Sequence, residues 1–168
     1  NWIRHSIANN KPLNQFAREL IASRGSTYQH PEANYYRAMR DPLMRAETTA
    51  QLFLGVRLQC AKCHNHPYEG ITQDDYYGLA AYFARVRYKQ QTFGLDDGVV
   101  FLARSGDVKH SSTGKVVQPA AFGKPMGEIG PGEDRRTKLA DWLATPANPY
   151  FARSTVNRVW YHLLGRGI

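Results

Sequence analysis

The chain has 168 residues, of which 42% are hydrophobic, and this is enough for one compact domain or for one domain and a piece of a second. Its 22 basic and 14 acidic residues give a net charge of +8, which favours an anionic partner. A nucleic-acid-binding arm would need a longer basic run, whereas no run of Lys or Arg in this chain exceeds two residues. Two cysteines exclude a disulfide framework, and no stretch approaches the roughly 20 apolar residues that span a bilayer.

The first ninety residues have the apolar periodicity of helices. Two of the predicted helix starts have clear capping signals: Asp41 precedes Pro42, and Thr72 precedes Asp75 by three residues, as in a capping box. The helices are predicted at residues 2–9, 12–23, 34–40, 42–58 and 72–86. We expect the helix at 42–58 to lead directly into residue 60, and the helices at 42–58 and 72–86 to form the walls of a ligand crevice.

The sequence CAKCH at residues 60–64 is the feature around which the chain is organised. Two cysteines two residues apart, followed by a histidine, are typical of covalent attachment of a c-type haem. Cys60 and Cys63 would bind the two vinyl groups of the macrocycle, and His64 would be the proximal ligand of the iron. Two alternatives stay open: a disulfide between the two cysteines, or a zinc site that includes His64 and His66.

After residue 90 the pattern changes from helical to β-prone. Short runs at residues 99–103 and 114–117, with a turn at 110–114, predict a small β-hairpin, and the Pro- and Gly-rich residues 119–132 predict a linker. Two last helices are predicted at 133–144 and 149–164, and the apolar face of the second consists of Val156, Val159, Trp160 and Leu163.

These elements predict a mainly α fold: a helical c-type cytochrome-like domain at 1–90, a hairpin and linker at 91–132, and a helical pair that starts a second domain at 133–168. We also expect the chain to be part of a longer exported protein, with any signal peptide upstream. Self-association is a further expectation.

The distal side of the iron has several candidates. His110 lies in the predicted hairpin turn, and Met126 lies in the linker, in the order in which class I cytochromes place a distal methionine. An open site, or one lined by tyrosines, is the alternative; Tyr68, Tyr76 and Tyr77 are the residues considered.

Several blocks of the sequence resemble a known family, the planctomycete-type cytochrome c domain of unknown function. The resemblance rests on TTAQLFLGVRLQCAKCHNHP at residues 48–67 and TQDDYYGLAAYFA at 72–84. The segments DRRTKLADWL at 134–143, NPYFAR at 148–153 and VNRVW at 156–160 resemble the start of the domain that usually follows it. The resemblance implies an exported protein of planctomycete-like bacteria.

Together, the motif and the resemblance predict a mono-haem c-type cytochrome domain that carries electrons in the periplasm or another exported location. Its partner would be an acidic redox protein, steered by the basic surface. A haem enzyme or ligand-binding domain with an open site is the first alternative, so the assignment as an electron carrier rather than an enzyme stays open. A haem-free binding module is the second.

Overall fold

The computed structural model describes residues 2–90, 98–122, 124, 127–130 and 132–168. It is mainly helical with a small antiparallel β component, as predicted. The helices are α1 (Trp2–Ala8), α2 (Leu13–Ala22), a 3₁₀ helix (Pro31–Tyr36), α3 (Pro42–Thr49), a π-helix (Ala50–Leu54), a second 3₁₀ helix (Leu58–Lys62), α4 (Gln73–Ala81), α5 (Arg135–Leu143) and α6 (Pro149–Leu164). The strands are β1 (Gly25–Ser26), β2 (Val86–Gln90), β3 (Gly98–Leu102), β4 (Val108–Lys109) and β5 (Val116–Val117).

Local capping explains why several helices begin where the sequence predicts. The Asp41 carboxylate accepts hydrogen bonds from the two N–H groups that follow Pro42. The Thr72 hydroxyl accepts from the backbone N–H of Asp75, whose carboxylate accepts from the N–H of Thr72, so both halves of the capping box are formed. Asn148 caps α6 in the same way as Asp41 caps α3. Each cap satisfies N–H groups that have no partner inside the helix.

The prediction of one long helix at 42–58 is wrong for its second half. The α-helical hydrogen bonding stops at Thr49, continues as one π-helical segment, and ends at Gly55, which has the left-handed φ of 71°. Glycine adopts this conformation without the steric cost that a Cβ would add. The chain therefore reaches Cys60 through a corner and a separate 3₁₀ helix, not along one helix. The helix predicted at 34–40 is also displaced, because a 3₁₀ helix occupies Pro31–Tyr36 instead.

The predicted pairing of the strands is wrong, although the turn at residues 110–114 is correct. β3 pairs with β1 and β2, whereas β5 pairs with β4, so the two runs expected to form one hairpin belong to different sheets. One of the two partners of β3 is β2. In β2, Val86 and Tyr88 alternate with polar residues, which is a strand pattern. The predicted helix at 72–86 ends at the residue where β2 begins, and this strand was therefore not predicted.

One hydrophobic core unites the elements. It contains Ile21 of α2, Leu79 of α4 and Leu139 of α5, all with no exposed surface. The predicted domain boundaries at 90 and 132 stay a prediction, and so does the likeness to c-type cytochrome folds.

The prediction for the last helix is right in its bounds, and the apolar face that the sequence indicates is exposed. α6 covers Pro149–Leu164 and ends at the left-handed Gly165, but none of its residues is buried. Val156, Val159, Trp160 and Leu163 are 45–74% exposed. Only the start of the helix packs closely, through the stacked rings of Phe53 and Phe151, because the rest of its apolar face has no opposing element among the described residues. No helix in the described part of the chain is both long and apolar enough to cross a membrane.

Candidate haem-attachment site

The Cys-x-x-Cys spacing corresponds to one turn of the 3₁₀ helix at Leu58–Lys62. A 3₁₀ helix has three residues per turn, so residues i and i+3 share a face. Leu58 and Ala61 share the inner face and have no exposed surface. Cys60 lies in this helix and Cys63 is the residue directly after its end, and both are exposed. Two exposed cysteines, three positions apart, are therefore carried by a segment that is anchored in the core through Leu58 and Ala61.

Both thiols are free, so the disulfide considered from the sequence is not formed in this structure. His64 follows them with an exposed ring, and its Nδ1 lies 2.7 Å from the carbonyl oxygen of Asn65. A carbonyl oxygen only accepts hydrogen bonds, so Nδ1 carries a proton, and in the neutral ring Nε2 then has the free lone pair. This is the tautomer that a histidine uses when it binds a metal through Nε2. Two free thiols and one imidazole with a free Nε2 fit a covalently attached haem.

The carbonyl oxygen of Lys62 is the point at which α4 holds the turn. It accepts hydrogen bonds from Gln73 Nε2 at 2.9 Å and from the Tyr77 hydroxyl at 3.1 Å. The backbone N–H of Gln73 also donates to Asn65 Oδ1 at 3.1 Å. These contacts fix the segment between Cys60 and Asn65 against the capped start of α4. Sequence reasoning assigned no role to Gln73, because its partners lie at least eight residues away along the chain.

The tip of the β4–β5 hairpin reaches the same place through Gln73. The amide of Gln73 donates to Ser111 Oγ at 3.2 Å and accepts from Ser112 Oγ at 3.1 Å. The hairpin that carries His110 is thus brought next to the cysteine turn, as the sequence hypothesis for a distal ligand requires.

The ring of His110, however, is already engaged. It is 7% exposed, and its centre lies 4.9 Å from that of Tyr77. Nδ1 accepts from the Ser112 N–H at 3.2 Å, and Nε2 lies 3.4 Å from Asp74 Oδ1. Because Nδ1 accepts, the proton is on Nε2, which points to the carboxylate. In this arrangement His110 offers no free lone pair to a metal. Met126, the second distal candidate, lies outside the described residues.

His66 has a structural role within the loop that follows the motif. Its Nδ1 accepts from the backbone N–H groups of Tyr68 and Glu69, at 3.3 and 3.1 Å. Across residues 2–90 and the other described segments, no three His, Cys, Asp or Glu side chains are grouped so that they could hold a metal ion. The zinc alternative therefore gains no support.

Two of the three candidate tyrosines are committed to the interior. The Tyr76 hydroxyl donates to Glu47 Oε1 at 2.6 Å, and burial, reinforced by this carboxylate, raises the pKa of Tyr76. Tyr77 is 3% exposed and bonded to Lys62, as described above. Tyr68 is 93% exposed, which leaves it the only one of the three with a ring open to solvent.

The crevice predicted between the helices at 42–58 and 72–86 is not formed. Leu54, Leu79 and Phe83, from the faces expected to line it, have at most 3% exposed surface and belong to the core. The prediction was wrong because these apolar side chains pack into the hydrophobic core. The cysteine turn lies on the surface, and a haem bound there would lie over the outer face of the protein.

Comparison with known families agrees with the resemblance seen in the sequence. The family model of PSCyt2, described as a protein of unknown function (DUF1549), matches residues 1–88, more than half of the 168 residues, and the chain belongs to this family. A second family model, PSD1, also described as a protein of unknown function (DUF1553), matches residues 135–168. No curated protein and no solved structure matches the chain.

Proposed function

We propose that this chain is a mono-haem c-type cytochrome domain that transfers electrons. One observation carries the proposal: Cys60, in the 3₁₀ helix, and Cys63, at its C-terminal end, are both free and exposed, directly before the exposed His64. The name of the family, which refers to a cytochrome type, is consistent with it.

Each residue of the turn has a definite task in this proposal. Cys60 and Cys63 fix the macrocycle to the protein, and His64 binds the iron through Nε2 while its Nδ1–H stays bonded to Asn65. The bound haem would supply the one-electron chemistry. Gln73 and Tyr77 keep the turn rigid through the Lys62 carbonyl, so that the three attachment points hold their spacing.

The surroundings of the turn favour transfer to a protein partner. A haem at an exposed turn presents an edge to solvent, where another redox protein can approach closely. The net charge of +8 would steer an acidic partner toward it. Export to the periplasm or a comparable compartment is part of the same proposal.

Whether a protein side chain binds the distal side of the iron distinguishes an electron carrier from a ligand-binding or catalytic domain. His110 stays the first candidate because Gln73 holds its hairpin next to the cysteine turn. To ligate iron, its Nε2 would have to exchange the Asp74 contact for the metal. The observed engagement of the ring favours the second candidate function, a domain with an open distal position. Optical spectra of the loaded protein and of His110→Ala decide between them: His110 ligation predicts a low-spin protein that becomes high-spin in the variant.

Expression in a host with a cytochrome c maturation system tests the proposal. We expect a haem-dependent peroxidase stain that stays with the polypeptide on a denaturing gel, and its loss in the double variant Cys60→Ser, Cys63→Ser. His64→Ala should alter the optical spectrum, whereas His162→Ala, on the exposed face of α6, should not. An unstained wild-type polypeptide that is otherwise folded would refute the proposal.

A further inference from the structure

A cavity of about 550 Å³ lies at the end of α4 opposite to the cysteine turn. Three arginines line it: Arg85, Arg104 and Arg135. Arg135 marks its position, because its Nη1 donates to the carbonyl oxygen of Ala81, the last residue of α4. Gln73, at the other end of α4, contacts the turn, and the separation of eight residues between Gln73 and Ala81 corresponds to about 12 Å of helix.

The positive charge at this cavity is only partly neutralised. Arg135 Nη2 is paired with Asp107 Oδ1 at 3.1 Å. The Nε of Arg85 is buried and has no hydrogen-bond partner among the residues that the structure describes. Arg104 is exposed and forms no ion pair with any residue that the structure describes. Within the described segments, two of the three guanidinium groups thus have no paired carboxylate.

The nearest carboxylates belong to other cations. Glu133 and Asp134 line a smaller adjoining cavity of about 180 Å³. The Glu133 carboxylate is bound to Lys138 Nζ at 3.2 Å and to the Gly130 N–H at 2.9 Å. The Asp134 carboxylate is bound to the buried Arg136 at 2.7 Å. Neither is available to compensate Arg85 or Arg104.

We propose that this cavity binds a small organic molecule that carries an oxyanion, with Arg85 and Arg104 as its principal ligands. Arg85 and Arg104 line the cavity without a paired carboxylate among the described residues, and an oxyanion there would neutralise their charge through charge-assisted hydrogen bonds. The planar guanidinium group suits carboxylate, sulfate and phosphate alike. The volume exceeds that of one inorganic anion and is in the range of small-molecule sites. The proposal does not depend on haem attachment.

Isothermal titration at constant ionic strength tests the site. The probes are inorganic sulfate and phosphate, glucose 6-sulfate, glucose 6-phosphate and glucuronate, with chloride as the reference anion. We expect saturable binding of at least one oxyanion and no saturable binding of chloride. Tighter binding of a sugar derivative than of its inorganic anion would assign the rest of the cavity to the sugar, and equal binding would assign the ligand to the anionic group alone.

Arginine variants identify the ligands. Arg104→Gln should weaken binding about tenfold or more, since charge-assisted hydrogen bonds to an anion are lost, and Arg85→Gln should do the same. Arg153→Gln removes the same charge from the exposed surface of α6 and should leave affinity unchanged. Because Arg104 is exposed, its variant is expected to fold; circular dichroism checks this for all three. Equal weakening by Arg104→Gln and Arg153→Gln, or no saturable binding by the wild type, would overturn the proposal.

Discussion

The ring of Tyr36 lies near two buried arginines in the core. Its ring centre is 5.6 Å from the guanidinium carbon of Arg45 and 5.1 Å from that of Arg136. Arg136 has no exposed surface; it binds the Asp134 carboxylate and donates from Nη1 to the Ser23 carbonyl at 2.8 Å. Burial alone would lower the pKa of Arg136, but Tyr36 and Asp134 outweigh it and raise the value.

Replacing Arg136 with lysine should lower the free energy of unfolding by about 2–4 kcal/mol. An ammonium group cannot reproduce the fork that reaches Asp134 and Ser23 together, so buried polar atoms would lose their partners. Urea denaturation measures the change. Arg153→Lys, at an exposed position, serves as the control and should change stability by less than about 0.5 kcal/mol. Equal stability of the two variants would show that the buried contacts contribute little.

Buried tyrosines should make the fold sensitive to alkali. Burial raises the pKa of Tyr36, and burial with the Glu47 contact raises that of Tyr76. In the unfolded chain both phenols ionise near pH 10, while in the fold they keep their protons. The unfolded state then binds fewer protons, so stability is fully present below about pH 10 and falls as the pH rises further, by about 1.4 kcal/mol per pH unit for each tyrosine.

Urea denaturation between pH 8 and 11.5 measures this slope. Tyr76→Phe should make the slope above pH 10 shallower, because it removes one of the phenols that keep their protons in the fold. Tyr68→Phe, at a tyrosine that is 93% exposed, should leave the slope unchanged. A flat profile in the wild type would contradict the assignment.

At the scale of elements, the corner at Gly55 decides how the chain enters the cysteine turn. Its φ is 71°, and a Cβ built there would lie 2.9 Å from Ser154 Oγ of α6. Gly114, in the β4–β5 turn, has a similar φ of 68°, but a Cβ added there would meet only open space. Alanine variants at Gly55 and Gly114 therefore distinguish the loss of stability caused by the left-handed backbone from the loss caused by a steric clash.

Gly114→Ala should therefore destabilise by about 1–2 kcal/mol, the cost of a left-handed alanine. Gly55→Ala should lower the stability further, because its Cβ also meets Ser154. Adding Ser154→Gly should restore the part of the stability lost to this clash, but not the part lost to the left-handed backbone conformation. Thermal unfolding of the wild type, the two single variants at positions 55 and 154, and their combination provides a double-mutant cycle. No coupling between positions 55 and 154 would mean that α6 does not pack on the corner as described.

The accuracy of the sequence predictions follows the range of the interactions involved. Helix starts at Asp41, Thr72 and Asn148 were predictable because caps are formed within three residues. Strand pairing was not, since β3 joins β1 and β2 through contacts up to seventy-five residues apart, as between Gly25 and Val100. The same distinction applies at the site: the motif was visible in the sequence, but the contacts of Gln73 with Lys62 and the hairpin were not.

At the scale of the whole molecule, the segments matched by the two families pack together. Residues 1–88 and 135–168 meet where Arg136 donates to the Ser23 carbonyl and Arg135 to that of Ala81. The buried face of α5 was predictable from its periodicity. The exposed apolar face of α6 was not, because periodicity identifies an apolar face without indicating what covers it.

The central claim is that Cys60 and Cys63 hold one haem covalently. Its most direct test is the intact mass of the protein, measured under denaturing conditions after production in a maturation-competent host. We predict the mass of the polypeptide plus one haem, and the mass of the polypeptide alone for the double variant Cys60→Ser, Cys63→Ser. A wild-type protein that carries no added haem mass would contradict the account.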